Sequence, residues 1–253
     1  VSTLAVIPAR LGATRLHRKP LRLLAGSPLV IRVWQRVAAL NVADRCVIAT
    51  DHADVVAAAK AAGAECVMTS PEHPSGTDRV AEVAARPEYA GYDVVVNIQG
   101  DEPFVPASAV RGAAAMVTGG RFMLGTAAAS AGRDALDTPH VVKVVCADDG
   151  RALYFSRAAI PHLRDGADAE ERDRLVRQHI GIYSYTKEAL ARWVALPPHA
   201  LERIERLEQL RPLAAGMPMG VAVVTDALPG GIDTEDDLRR ANERWPDLIA
   251  ERE

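Results

Sequence analysis

Four cations crowd the stretch AVIPARLGATRLHRKPL, residues 5–21: Arg10, Arg15, Arg18 and Lys19. They follow the apolar run Ala5-Val6-Ile7-Pro8, are interrupted by Gly12 and are closed by Pro20. A glycine-containing loop after a strand can turn several backbone N–H groups toward one anion. Arginine adds forked hydrogen bonding to phosphate oxygens and lysine a compact charge, so the cluster suits a triphosphate. A solvated basic loop is the plain alternative. A P-loop is excluded, because GxxxxGK[ST] is absent.

Two acidic stretches could supply the counterpart. In NIQGDEPF, 97–104, Asp101 and Glu102 follow an apolar strand, and Gly100 lets the backbone turn sharply or approach a ligand closely. An aspartate at a strand end is a common way to hold Mg2+, which keeps oxygen ligands and binds phosphates; an acidic surface turn reads the same way. In PGGIDTEDDL, 229–238, Asp233 stands just before a helix. It is either a residue leading into that helix or a second Mg2+ ligand, distant from Asp101 in sequence and near it in space; two metals could bridge phosphate oxygens. A third stretch, HPSGTDR at 73–79, sets Ser75 and Gly76 before a helix starting near Thr77, which could cap it, with Arg79 in the first turn. Such a loop packs against a base or ribose, or only caps the helix.

The elements that must position these residues alternate. LAVIP (4–8), CVIAT (46–50), ECVMT (65–69) and DVVVNI (93–98) are run-type strands of a sheet covered on both faces. PLVIRVWQRVAAL (28–40) and DVVAAAKAA (54–62) carry helical periodicity between them. This order predicts a mostly parallel α/β sheet, in which ligands bind outside the carboxyl ends of the strands, where the cationic run falls. After about residue 130 the rhythm changes. HVVKVVCADDGRALYFSR (140–157) reads as two extended segments joined at Asp148-Asp149-Gly150, a hairpin signal. A polar passage (164–178) is a loop or short helix, and HIGIYSYT (179–186) a further strand, so 130–190 reads as an antiparallel insertion in one domain spanning 1–253. LERIERLEQLRPLAAG (201–216) predicts a helix closed by Gly216, GVAVV (220–224) a strand, and TEDDLRRANERW (234–245) a helix opened by a Thr234/Asp237 capping box.

The net charge of −3 over 253 residues argues against a general polyanion binder and leaves the cationic run as a local anion site. Cys46, Cys66 and Cys146 show no metal spacing and read as reduced core residues. No apolar run reaches membrane-helix length, which gives a cytoplasmic expectation.

Taken in order, IPAR, TRL, KPL, ATDHADV, HPSGTDR, NIQGDEP, VVKVV, GRALYFSRAAIP, HIGIYSY, LERIERLEQLR and GIDTEDDL run through nearly the whole chain. This series resembles the 3-deoxy-manno-octulosonate (KDO) cytidylyltransferases, the CMP-KDO synthetases. The resemblance implies a nucleotide-diphospho-sugar transferase fold with an inserted dimerisation region, and a homodimer. It implies transfer of CMP from CTP to an acidic acceptor with release of pyrophosphate and with Mg2+. By position, Arg10, Arg15 and Lys19 would hold the triphosphate; Ala9, Ser75, Gly76 and Gln99 would line the cytidine pocket; Asp101 and Asp233 would carry magnesium. The family's sugar-acid pocket would fall on Arg157, His179, Tyr183, Glu208 and Gln209. The residue types agree: Arg157 can pair with a carboxylate, His179 and Tyr183 share one face of a strand, and Glu208 and Gln209 on a helix can bond hydroxyls.

The chain departs from the family in the first loop, reading Ala13-Thr14-Arg15 for the usual Ser-Thr-Arg and His17-Arg18-Lys19 for Pro-Gly-Lys, and it has Pro74 where many relatives carry Gln. The added Arg18 either extends the positive charge near the phosphates or faces solvent. A small phosphonate such as phosphonoformate is the alternative acceptor, and a non-catalytic nucleotide-binding homologue the distant one.

Overall fold

A computed structural model describes residues 1–12, 16–225 and 230–245. The chain divides into two compact units, Val1–Ala107 with Leu228–Glu253, and Ser108–Ala227.

In the first unit, β1 (Thr3–Ala9) is followed by the short pair β2 (Leu23–Leu24) and β3 (Ser27–Pro28), then α1 (Leu29–Leu40), β4 (Arg45–Thr50), α2 (Ala53–Ala61), β5 (Cys66–Met68), α3 (Gly76–Ala84) and β6 (Val94–Asn97). β1 pairs in parallel with β4 on one side and β6 on the other, and β4 pairs in parallel with β5. The central runs become strands because nearly every side chain on them is buried: Leu4, Ala5, Val6 and Ile7 on β1 are fully buried, as are Val95 and Val96 on β6, whereas β5, farther out, leaves Met68 46% exposed. Covered on both faces, such strands need no polar alternation. α1 turns Leu29, Val30, Val33 and Val37 inward at helical spacing.

In the second unit come α4 (Ala107–Thr118), β7 (Leu124–Ser130), β8 (Lys143–Cys146), β9 (Ala152–Ser156), α5 (Ala169–Leu175), β10 (Arg177–Thr186), α6 (Lys187–Ala195), α7 (Ala200–Glu205), α8 (Leu210–Ala214) and β11 (Met219–Val224). β7 runs parallel to β11 and antiparallel to β10; β8 pairs antiparallel with β10 and with β9, forming the hairpin expected at 140–157. Last, α9 (Glu235–Glu243) belongs to the first unit and opens with the expected Thr234/Asp237 capping box. Leu238 and Ala241 of α9 pack with Leu16, Leu24, Leu29, Phe104 and Ile232, so the C-terminal segment closes the core beneath the first loop.

Two expectations are corrected. The helix expected over 201–216 is broken: α7 ends at Glu205, Arg206 adopts a left-handed φ of 55°, and α8 starts only at Leu210. Pro212 is the reason, since its ring would meet the carbonyl of residue 208 and it has no N–H to continue the ladder. Glu208 and Gln209 therefore lie in the break. At 73–79 the cap is Ser75, whose hydroxyl accepts from the N–H groups of Thr77 (3.1 Å) and Asp78 (3.4 Å), and Thr77 is already inside the helix. The polar passage of 164–178, expected to be a loop or a short helix, contains the short helix α5. The three cysteines are free thiols, each half-buried. Among the described residues no helix is long and apolar enough to cross a membrane.

Candidate active site

Lys19 is the centre of the first unit's site. Leu16, 1% exposed, anchors the loop after β1, and the Lys19 N–H donates to the Leu16 carbonyl at 3.1 Å. Pro20, buried, then fixes a short 3-10 turn over Lys19–Leu21. Lys19 is thus aimed by the backbone on both sides. Its ammonium donates to Oδ2 of Asp101 and, at 2.7 Å, to Oδ1 of Asp233. Burial alone would lower its pKa; Asp101 first and then Asp233 outweigh that and raise it.

The two aspartates come from segments more than a hundred residues apart, and the backbone ties them together. The Ile232 N–H donates to the Asp101 carbonyl at 3.0 Å. Close approach is made possible by two glycines. A Cβ on Gly100 would sit 2.8 Å from the Pro8 carbonyl oxygen, and one on Gly231 2.7 Å from Oε1 of Glu102. The Asp233 N–H donates to the Asp237 carboxylate at 3.1 Å, which sets Asp233 at the mouth of α9. Glu102 lies behind this pair, and its carboxyl is pushed up to about 8 by burial and by the neighbouring Asp101 and Asp233.

The donor set fits a divalent cation. Two carboxylates converge on one positive centre, and Mg2+ is held by one or two carboxylates with its remaining positions filled by water and substrate phosphate. No cluster of three or more His, Cys, Asp and Glu side chains capable of holding a metal occurs among the described residues, so a metal here would draw on non-protein oxygens.

The expected nucleotide residues gather around Pro8. Ala9, 3% exposed, ends β1; Gly76 opens α3 with its Cβ position 3.3 Å from the Pro8 ring; Gln99 follows β6, whose strand lies beside β1, and its carbonyl accepts from Glu102 N–H at 3.2 Å. Ser75 is committed to capping α3 and donates to Asp78 at 2.7 Å. Arg10 is exposed just past β1, and Arg15 lies outside the described residues. Arg18 adopts a left-handed φ of 53° and its guanidinium pairs with Asp54, so this added charge is engaged by a carboxylate at the start of α2.

The residues expected to take the acceptor lie in the second unit. The Arg157 guanidinium donates through Nε to the Glu205 carbonyl (2.9 Å) and through Nη1 to the Pro139 carbonyl (3.4 Å). Both acceptors are neutral, so no carboxylate among the described residues consumes its charge. His179 and Tyr183 share a face as expected, ring centroids 5.5 Å apart, although a bulge intervenes between Ile180 and Tyr183. Two extra residues on β10 preserve the alternation. Burial pushes the His179 imidazole down to about 3 and holds the Tyr183 phenol well above its ordinary value, with Glu208 adding to the latter. Gln209 is 2% exposed, and its Nε2 is buried without an acceptor among the described residues.

Sequence reasoning missed Lys143, fully buried, whose ammonium donates to the carbonyls of Val141 (2.8 Å), Arg157 (2.5 Å) and Thr138 (3.2 Å) and thereby fixes the strand end carrying Arg157. It also missed Glu205, whose carboxylate accepts from Ser156 hydroxyl (2.6 Å) and Arg157 N–H (3.0 Å). The signal for Lys143 was present: a lone lysine inside the apolar run VVKVV.

A family model described as cytidylyltransferase matches residues 4–219. The chain belongs to the cytidylyltransferase family. Among curated relatives, it is 63% identical to the 3-deoxy-manno-octulosonate cytidylyltransferase of Gemmatimonas aurantiaca, over 98% of this chain and 95% of that one. It is 45% identical to the enzyme of the same name from Yersinia pseudotuberculosis, over 95% of this chain and 97% of that one. Among solved structures, this cytidylyltransferase matches CMP:2-keto-3-deoxy-manno-octonic acid synthetase complexed with CTP, with a TM-score of 0.89, 33% identity and coverage of 98% and 99% of the two chains. A Bacillus anthracis protein assigned as a glucose-1-phosphate thymidylyltransferase matches at TM-score 0.66 and 16% identity over 97% and 96% of the chains, a likeness of fold alone. The architecture is accordingly the mixed α/β, mostly parallel fold that the resemblance implied.

Proposed function

We propose that this protein transfers CMP from CTP to 3-deoxy-manno-octulosonate, forming CMP-KDO and releasing pyrophosphate. The observation that carries this reading is the 63% identity, end to end, with a curated enzyme of that name. The convergence of Lys19, Asp101 and Asp233 on one point supports it from the chemistry side.

In this reading Arg10, Arg15 and Lys19 bind the triphosphate and stabilise negative charge on the transferring and leaving phosphates. Ala9, Gly76 and Gln99 border the cytidine, with Ser75 holding α3 in place behind it. Asp101 and Asp233 hold Mg2+, which when bound would neutralise phosphate charge and help acidify the attacking hydroxyl. On the second unit Arg157 receives the acceptor carboxylate; His179, Tyr183, Glu208 and Gln209 bond its hydroxyls. The buried Gln209 Nε2, which has no acceptor among the described residues, is suited to a substrate oxygen. The acceptor hydroxyl attacks the α-phosphorus in line, the bond to the β-phosphate oxygen breaks, and pyrophosphate leaves. The reading includes a homodimer built on the segment 130–190 and a cytoplasmic setting, where CTP is made; Leu153 on β9, 52% exposed, is an apolar side chain of that segment that a partner would cover.

The test is pyrophosphate release from CTP and Mg2+, run in parallel with KDO and with phosphonoformate. Turnover with KDO alone is expected. Turnover with phosphonoformate alone would keep the nucleotide chemistry and overturn the acceptor.

A further inference from the structure

Thr126 lies on β7, fully buried, opposite the bulge of β10. Its hydroxyl donates to the Ile182 carbonyl at 2.6 Å, with the Ile180 carbonyl 3.3 Å away. The same oxygen is 2.9 Å from Nε2 of His179. A hydroxyl has one proton, and here the bulge carbonyls take it. Toward His179 the oxygen can only accept, so Nε2 carries the imidazole proton and Nδ1 holds the lone pair.

The rest of the surroundings keep the ring in that state. His179 is held by an edge contact with Phe155 (centroids 4.9 Å apart) and by Tyr183, while its backbone N–H donates to the Val142 carbonyl at 2.8 Å. Burial keeps the ring neutral down to about pH 3, so it does not become a second donor. Nδ1 has no hydrogen-bond partner among the described residues, and His179 as a whole is only partly buried, which leaves that nitrogen available to a ligand.

We infer that Thr126 is a positioning residue that fixes His179 as its Nε2–H tautomer and so turns Nδ1 into a hydrogen-bond acceptor for a hydroxyl of the acceptor substrate. This rests on the sugar-acid reading above and deepens it. The bulge serves a purpose in this arrangement: the two carbonyls it exposes are what orient the Thr126 hydroxyl. A ring of the opposite tautomer would offer a donor instead, and a polyol acid would lose one of its few orientation marks.

The experiment has two readouts on the full chain. Ring 15N spectra of the substrate-free protein, with His179 assigned by loss of its signals in H179N, report which nitrogen carries the proton. Steady-state assays report KM for KDO and for CTP separately, after KDO turnover by the unmodified protein has tested the functional reading by itself. The expected result is a protonated Nε2 in the unmodified protein, loss of that preference in Thr126→Val, and its return in Thr126→Ser, which keeps the hydroxyl. Removing one oriented hydrogen bond should raise KM for KDO about tenfold in Thr126→Val, with KM for CTP unchanged and Thr126→Ser near the original value. A protonated Nδ1 in the unmodified protein would overturn the inference. So would a Thr126→Val protein that keeps the ordinary KM for KDO, or a Thr126→Ser protein as impaired as Thr126→Val.

Discussion

Nζ of Lys19 lies 2.7 Å from Oδ1 of Asp233. The same ammonium donates to Asp101, so one side chain neutralises both carboxylates to which a metal is assigned. Under the proposed function lysine and metal would compete for the same oxygens, and an incoming triphosphate that draws the ammonium to itself would free the carboxylates. Mn2+ should bind the nucleotide-free protein weakly and bind much better with CTP present. Lys19→Met should tighten Mn2+ binding in the absence of nucleotide by at least about tenfold, since a unit charge a few ångströms away acts with several kcal/mol at effective protein dielectric. If Lys19 holds the triphosphate as proposed, the same substitution should cut turnover by roughly 100-fold or more, because a donor to the transferring phosphates is lost. Titration of Mn2+ by electron paramagnetic resonance reads the first effect; unchanged affinity in Lys19→Met would show that the lysine does not guard the site.

Arg79 has a structural role. Its side chain is 3% exposed, and Nη2 lies 2.8 Å from Oδ2 of Asp51, itself 18% exposed, while Nη1 donates to the Thr69 hydroxyl. Breaking one partner of a buried pair leaves the other charge uncompensated, at a typical cost of about 3–5 kcal/mol. Arg79→Met should lower the urea midpoint accordingly while the folded fraction keeps its turnover. A stability loss under about 1 kcal/mol would mean that water replaces the guanidinium at Asp51, as it does at exposed pairs.

The first unit's strands and helices were legible because each carries an apolar run or a helical stripe that matches its burial. β7 and α4 were not: LGTAAAS and ASAVRGAAAMVT are alanine- and glycine-rich, with little β-branched or periodic signal, and their small side chains matter through close approach. A Cβ on Gly125 would lie 2.5 Å from the Ala113 carbonyl oxygen, a constraint visible only once the chain is folded. Asp101 and Asp233 were named from residue type and position as neighbours in space, and both lie against Lys19, a pairing that their sequence positions did not announce. The break at Arg206 had a readable signal in Pro212 that the charged helical pattern of LERIERLEQL outweighed. The role of Thr126 had none, because it depends on a bulge fifty-odd residues away.

Gly100 makes a second kind of demand on the site. Its missing Cβ leaves room for the Pro8 carbonyl, which is backbone and cannot rotate away, so Gly100→Ala must displace either β1 or the turn carrying Asp101. Overpacking of this kind costs about 1–3 kcal/mol. The larger effect should be on turnover, because the displaced turn holds Asp101 against Lys19. Gly91→Ala, where the added Cβ meets nothing within 4 Å, is the matched control. The expected outcome is a drop in kcat of about tenfold or more for Gly100→Ala and none for Gly91→Ala, a small misplacement near the chemistry being costly. Equal activity in both would mean that the turn and β1 shift together without moving Asp101.

Glu82 gives the pH dependence of stability a definite sign. Burial by itself would raise its carboxyl, but the Ser70 N–H at 2.8 Å, the Arg86 guanidinium at 2.7 Å and the His73 ring at 2.6 Å outweigh it and pull the pKa from 4.5 down to about 2. A folded-state value below the unfolded one means that the folded protein holds fewer protons over that interval, so stability is gained as pH rises through it. The contribution is complete above pH 4.5 and is lost as pH falls toward about 2. Glu82→Gln cannot ionise, so it should be less stable than the unmodified protein at neutral pH, and the gap should narrow steadily below about pH 4.5. Urea midpoints of the two proteins across that range measure it. A gap that persists undiminished to about pH 3 would assign the difference to lost hydrogen-bond geometry at Ser70 and Arg86, with no part played by the charge.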